Sequence, residues 1–307
     1  MEYRLNGYHG IVLLSALCLY ACAASNKSDG NDTADTSDTT VLFPDGGNAR
    51  HRFTLDGFET PESALYDPEG DWILVSNING GAGKEDGNGF ISKVSMAGEM
   101  LARKWIDGES DDVTLNAPKG MAIRDTELCV TDITVVRFFE RETGAPIQTI
   151  NINGATFLND AASNGERIFI SDSNEGMVYE IMADLTVASR LQTSDVGKPN
   201  GLFATAERLY VANADGAITA VDTGSFEKEW TIDTDAPRLD GLVVLDNEQC
   251  LASSWETHSV FIATQTAPHQ PVIENLSSAA DIGFVPDEHL VLIPLFSENR
   301  LMVAEIL

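Results

Sequence analysis

The chain has 307 residues, 43% of them hydrophobic, enough to bury a large core in one repeat-built domain or two ordinary ones. Its 48 acidic residues against 19 basic ones give a formal charge of −29, which repels nucleic acid and anionic lipid headgroups and so argues against either as a partner. The acidity favours solubility but locates no site.

In chain order, Arg4 precedes an apolar run from Ile11 to Tyr20, too short for a stable membrane span but suited to the core of a signal peptide. It ends in Leu19-Tyr20-Ala21-Cys22, which resembles a bacterial lipobox, with Tyr20 an unusual member. Residues 1–22 are therefore expected to direct export. The product is either a lipoprotein anchored in the cell envelope through Cys22 or a protein released into the periplasm or medium. Residues 23–48, rich in Ser, Asp, Thr, Asn and Gly, are expected to form a disordered acidic tether.

From residue 49 a short phrase recurs: Pro61-Glu62-Ser63-Ala64, Pro118-Lys119-Gly120-Met121, Leu158-Asn159-Asp160-Ala161, Pro199-Asn200-Gly201-Leu202, Leu239-Asp240-Gly241-Leu242 and Ala280-Asp281-Ile282-Gly283. The second residues of the phrases are separated by 57, 40, 41, 40 and 41 residues. A glycine-rich insertion, Asn79 to Gly89, accounts for the long first interval. Each unit holds four short β-rich runs divided by turn residues, the pattern of a propeller blade. After Asp281 the chain is long enough for three strands, and Arg50 to Leu55 offers the fourth. The expected fold of residues 49–307 is thus an all-β, six-bladed β-propeller with four-stranded blades, its N-terminal strand completing the last blade.

Equivalent positions on innermost strands converge on the axis, so the repeat itself defines a candidate site: Glu62, Lys119, Asn159, Asn200, Asp240 and Asp281. Asn and Asp before Gly are also ordinary turn residues, but turn chemistry has no need of Glu62 or Lys119. Glu62, Asn159, Asn200 and Asp240 supply two carboxylates and two amide oxygens, the ligand preference of a hard divalent cation: calcium first, magnesium or manganese next. Lys119 and Asp281 are expected to face the same channel and meet substrate. Trp255, His258 and Phe296 are candidates for its walls, although a surface loop also explains His258.

The order Glu62, Asn159, Asn200, Asp240, within PESALYD, FLNDAAS, KPNGL and LDGL, resembles the regucalcin/gluconolactonase propellers and the related diisopropyl-fluorophosphatase-type hydrolases over residues 50–307. The resemblance implies that these four residues hold a catalytic calcium or other divalent ion. It also implies that Asp240 acts as base or nucleophile in hydrolysis of a lactone, ester or phosphoester. The alternative is a non-catalytic envelope propeller that binds a ligand or protein. Either is expected to be a monomer, and the enzyme's partner a small-molecule substrate. Cys129 and Cys250 fall in different blades and are expected to stay unbridged; Asp132 and Asp172, at equivalent strand ends, are expected to cap turns.

Overall fold

The computed structural model describes Val41 and residues 49–307. The signal, the lipobox-like end and most of the tether lie outside the described residues.

Six four-stranded antiparallel sheets make up the domain. The strand β1 (Ala49–Asp56) opens it. Blade 1 follows as β2 (Pro61–Asp67), β3 (Trp72–Asn77), β4 (Phe90–Ser95) and β5 (Met100–Asp107), and blade 2 as β6 (Pro118–Arg124), β7 (Glu127–Asp132), β8 (Val135–Glu140) and β9 (Pro146–Asn151). Blade 3 holds β10 (Leu158–Ser163), β11 (Ile168–Asp172), β12 (Met177–Ile181) and β13 (Val187–Gln192), and is followed by a single-turn helix, α1 (Thr193–Val196). Blade 4 holds β14 (Pro199–Ala204), β15 (Arg208–Asn213), β16 (Ala217–Asp222) and β17 (Lys228–Asp233). Blade 5 holds β18 (Leu239–Val244), β19 (Cys250–Ser254), β20 (Ser259–Ala263) and β21 (Gln270–Glu274). Blade 6 takes β22 (Gly283–Val285), β23 (Leu290–Leu295) and β24 (Arg300–Ile306) from the end of the chain, and β1 pairs with β24 as its outer strand. The propeller and its closure are as the repeat predicts.

Burial follows position within a blade. The second strands β11 and β19 are buried along their whole length because neighbouring blades cover both faces, whereas the outer strand β9 alternates with solvent. Leu74, Ile91, Leu128, Phe139 and Val130 fill one such inter-blade layer. Cys129 and Cys250 belong to these layers as free, buried thiols; burial pushes both upward, Cys250 to about 12, which keeps them inert. Trp72 and Trp105 sandwich the Lys93 ammonium at 3.5 and 3.9 Å, and Trp230 packs edge-on against Tyr210, so all three serve blade packing.

Two recurrent devices aim the inner strands. At the end of the second strand, Asp132 accepts the backbone N–H of Ala117 at 2.8 Å, and Asp172 accepts those of Thr156 and Glu175 at 2.7 and 3.0 Å. Both are the turn caps expected of them. One residue earlier, a hydroxyl reaches the next blade: Thr131 donates to the Asn159 carbonyl at 2.6 Å, Ser171 to that of Asn200 at 2.7 Å and Ser253 to that of Ala280 at 2.8 Å. The ladder breaks register at each of these phrases, as between Leu239 and Leu242. The two residues at the break are thereby released from the sheet toward the axis.

The glycines of the phrases are there because inner strands crowd one another. A Cβ on Gly201 would lie 2.1 Å from the Asp240 carbonyl oxygen, and one on Gly241 2.1 Å from the Ile282 nitrogen. Gly201→Ala must displace backbone rather than a side-chain tip, and is expected to cost about 2 kcal/mol of stability in urea denaturation. Gly83→Ala, which meets nothing within 4 Å, serves as the near-neutral control.

Candidate functional site

Glu62, Lys119, Asn159, Asn200 and Asp240 line one axial cavity of about 340 Å³, reached through the loops that precede the inner strands. Trp255 and Phe296 form a wall of it, edge to face with centroids 5.2 Å apart. Ile78 and Ala82, at the start of the glycine-rich insertion, also line it. That insertion is tied down by Asn79 Nδ2 donating to the Asn88 carbonyl at 2.9 Å and by Gly87 N–H donating to Asn116 Oδ1 at 3.0 Å.

Asp281 and His258 are not among the residues lining this cavity. His258 is exposed in the tight turn between β19 and β20. Asp281 is displaced because the sixth phrase is offset by one residue from the sequence alignment. Ala279 bridges Leu295 as Leu239 pairs with Ser254, and the Ser253 hydroxyl reaches Ala280 as its counterparts reach Asn159 and Asn200. Ala280 therefore occupies the position of Asp240, and Asp281 that of the residue after it. Its peers are Ser63, Gly120, Asp160, Gly201 and Gly241, one step deeper along the axis.

At that deeper level the Ser63 hydroxyl donates to Asp281 Oδ2 at 2.5 Å, and Asp281 hydrogen-bonds the Asp160 carboxyl. Asp160 also accepts the Ala161 and Leu202 backbone N–H groups, each at 2.6 Å. Asp160 was missed in the sequence because it follows Asn159 in what reads as a turn. The signal was that most other third places hold Gly or Ser. Phe157 and Arg238 were missed as well. The Phe157 ring lies 4.5 Å from Lys119 Nζ, and the Arg238 guanidinium 5.7 Å from the Trp255 ring.

The hydrogen bonds of the upper ring are uneven. Asn159 Nδ2 donates to Asn200 Oδ1 at 2.6 Å and to Ser173 Oγ at 3.0 Å, while Asn200 Nδ2 donates to the Leu239 carbonyl at 3.1 Å. The Trp255 indole N–H donates to Asp240 Oδ2. Glu62 Oε2 is buried with no hydrogen-bond partner. Burial, then Asp240, pushes the Glu62 carboxyl well above its ordinary value, with Lys119 pulling the other way. Burial raises Asp240 to about 6 against the pull of Trp255, Asn200 and Arg238. Burial also lowers Lys119, whose ammonium donates to the Ala117 carbonyl at 3.2 Å.

Among the described residues no three His, Cys, Asp or Glu side chains converge as a metal cluster. The donor set suits a hard cation only if the amide oxygens join the two carboxylates. It does suit one on that basis: an orphaned buried carboxylate oxygen and two carboxyls destabilised by burial, one of them also by its neighbour, are what a divalent ion relieves.

No protein-family model matches this chain, and no curated protein does. Among solved structures, one described as a "putative gluconolactonase" superposes with a TM-score of 0.59 at 18% identity, over 86% of this chain and 93% of its own. The chain has a gluconolactonase-like propeller fold. A glutaminyl cyclase from Myxococcus xanthus superposes with a TM-score of 0.47 at 14% identity, over 62% of this chain and 91% of its own. At such identities the gluconolactonase-like label describes architecture, and the chemistry has to be argued from the cavity.

Proposed function

We propose that the upper cavity holds a divalent cation, calcium first and magnesium or manganese next, and that the protein hydrolyses a lactone, ester or phosphoester there. The unpartnered Glu62 Oε2 carries this reading, because it is a buried acceptor beside Asp240, Asn159 and Asn200 in a cavity they share. A bound divalent cation supplies Lewis acidity, polarising the carbonyl or phosphoryl oxygen of the substrate. Glu62, Asp240 and the two amides would hold it, their combined charge balancing that of the ion.

Asp240 is the residue we assign to attack, as base toward water or as nucleophile itself. The Trp255 indole and the Asn200 amide fix its orientation. Lys119, in blade 2 across the ring from Asp240, binds an anionic group of the substrate over the Phe157 face. Trp255 and Phe296 hold its apolar part. The proposed enzyme is a monomer acting on small molecules, and the signal-like residues 1–22 support its export to the bacterial envelope or medium.

The test is hydrolysis of a panel of lactones, aryl esters and phosphotriesters with and without chelator, alongside calorimetric titration with calcium. Turnover is expected to need the cation and to fall by at least about 100-fold in Asp240→Asn with the fold intact. Calcium affinity is expected to drop in Glu62→Gln. Absence of cation binding in the unaltered protein would refute the four-ligand assignment; full turnover in Asp240→Asn would refute the role given to Asp240.

A further inference from the structure

A second, lower cavity of about 860 Å³ opens at the opposite end of the axis and shares no lining residue with the upper one. Its polar floor is satisfied from within, since Asp160 and Asp281 hydrogen-bond each other and accept from Ser63, Ala161 and Leu202. Unanswered charge lies in the upper cavity instead, and it is positive. The charged residues lining that cavity are Glu62, Asp240, Lys119 and Arg238. The divalent cation proposed above balances the two carboxylates, which leaves the two basic side chains. Lys119 is buried, within electrostatic reach of Glu62 and Asp132, and donates to the Ala117 carbonyl. Arg238 is exposed at the mouth of the cavity. Among the described residues its guanidinium makes no ion pair or hydrogen bond, whereas every other described arginine is held in an ion pair. In a chain with 48 acidic residues to 19 basic ones, an arginine kept clear of carboxylates stands out.

Arg238 is also firmly placed. Its backbone N–H donates to the Ala214 carbonyl at 2.8 Å, its own carbonyl accepts the Trp255 backbone N–H at 3.1 Å, and the Pro237 carbonyl beside it accepts the Ser254 hydroxyl at 2.6 Å. The guanidinium lies over the Trp255 ring, 5.7 Å from its centroid. The same indole donates to Asp240, so one aromatic ring positions both the carboxylate assigned to attack and the cation at the mouth.

We propose that Arg238 is a specificity-determining residue, selecting esters and lactones that carry a carboxylate at the mouth of the upper cavity, beyond the group met by Lys119. The inference rests on the hydrolase reading and names its substrate class. A planar guanidinium offers paired N–H donors that match a carboxylate, and stacking on an indole holds that plane without using any of them. A neutral substrate leaves those donors to water and gains nothing from them. A cationic one is repelled by the guanidinium and by the bound ion together. The net charge of −29 repels anions at long range, so their capture has to come from a local group at the entrance, and Arg238 is the one so placed.

The test has a binding arm and a kinetic arm, both with calcium present. By calorimetry, 4-phenylbutanoate is expected to bind at least about ten-fold more tightly than 4-phenylbutanol, and to lose that margin in Arg238→Gln. Arg238→Lys, which keeps the charge but not the fork, should restore only part of it. Phenyl hydrogen glutarate and phenyl valerate present one aryl ester with and without a terminal carboxylate. The parent is expected to favour the acid by about ten-fold in kcat/KM, and Arg238→Gln to erase the preference through the KM of the acid. Thermal melting checks that each variant folds. Binding needs no turnover, so an Arg238-dependent margin without hydrolysis of either ester would support the carboxylate site and fail the hydrolase reading. The proposal is overturned if acid and alcohol bind alike, if neither binds, or if Arg238→Gln keeps the margin. It is also overturned if the margin is lost in Lys119→Met and not in Arg238→Gln, which would give the carboxylate to Lys119.

Discussion

With chelator present, the protein will lose stability as the pH rises from about 5 to about 8. The carboxyls of Asp240 and Asp160 sit at about 6 and about 7, and those of Glu62 and Asp281 are also well raised. In the unfolded chain all four titrate near their ordinary value of about 4. Between those limits the folded state holds protons that the unfolded state has released, so each upward step in pH favours unfolding. Stability from these groups is intact below the unfolded values and lost as pH climbs through the folded ones. Asp240 alone accounts for about 3 kcal/mol over the full span from its unfolded value upward, roughly half of it between pH 5 and 8. Calcium at millimolar concentration is expected to flatten the decline, because a cation that binds the ionised carboxylates binds only the folded state. Urea midpoints across the range, with chelator and with calcium, provide the measurement. A flat profile with chelator would contradict the burial of these charges, and a decline that calcium leaves untouched would count against the cation site.

Arg141→Met is the substitution away from the axis with the largest expected cost, about 4 kcal/mol. Asp67 is buried at the turn between β2 and β3. Arg141, at the end of the third strand of blade 2, reaches it with Nε at 3.0 Å while pairing with Glu69 at 2.7 Å. Burial alone would raise the Asp67 carboxyl, but Arg141 and the Glu69 and Gly70 N–H groups outweigh it and hold the group below its ordinary value. Without the guanidinium, a buried carboxylate between two blades loses its counter-charge. The sign opposes that of the axial carboxyls: stability from Asp67 is present above its unfolded value and lost as pH falls through the folded one. The variant should therefore show a lower urea midpoint near neutrality and a smaller deficit in acid. An unchanged midpoint would mean that the backbone donors and the Trp72 indole, 3.1 Å from Asp67 Oδ2, suffice alone.

Blade number and the closing strand were legible because a repeat of nearly constant length admits few architectures. The upper ring was legible in five of its six places for a related reason: Pro or Leu before the site residue and Gly, Ser or Asp after it mark the same break in the ladder each time. The sixth place misled because Ala279-Ala280-Asp281 offers no such marker, and the acidic residue drew the alignment one position along. Only the pairing of Ala279 with Leu295 fixes the register. Depth along the axis was not legible at all. Whether a carboxyl faces the upper or the lower cavity turns on a one-residue difference at a bulge, which hydrophobic periodicity does not encode. His258 misled differently, since proximity to Trp255 in sequence says nothing about which way a tight turn presents its side chain.

The pairing of Ala49 with Ile306 has a consequence for the order in which the protein assembles. During synthesis the first strand leaves the ribosome long before its partner exists, while every other blade can form from strands made consecutively. Five blades can thus be complete while the ring is still an open arc, with the layers next to blade 6 exposed to water. Closure waits for the final strand and must recruit the oldest one across nearly the whole length of the domain, a contact whose entropic cost is met only at the end. The seam, rather than any blade, is then where a stalled chain would be caught by proteases or chaperones.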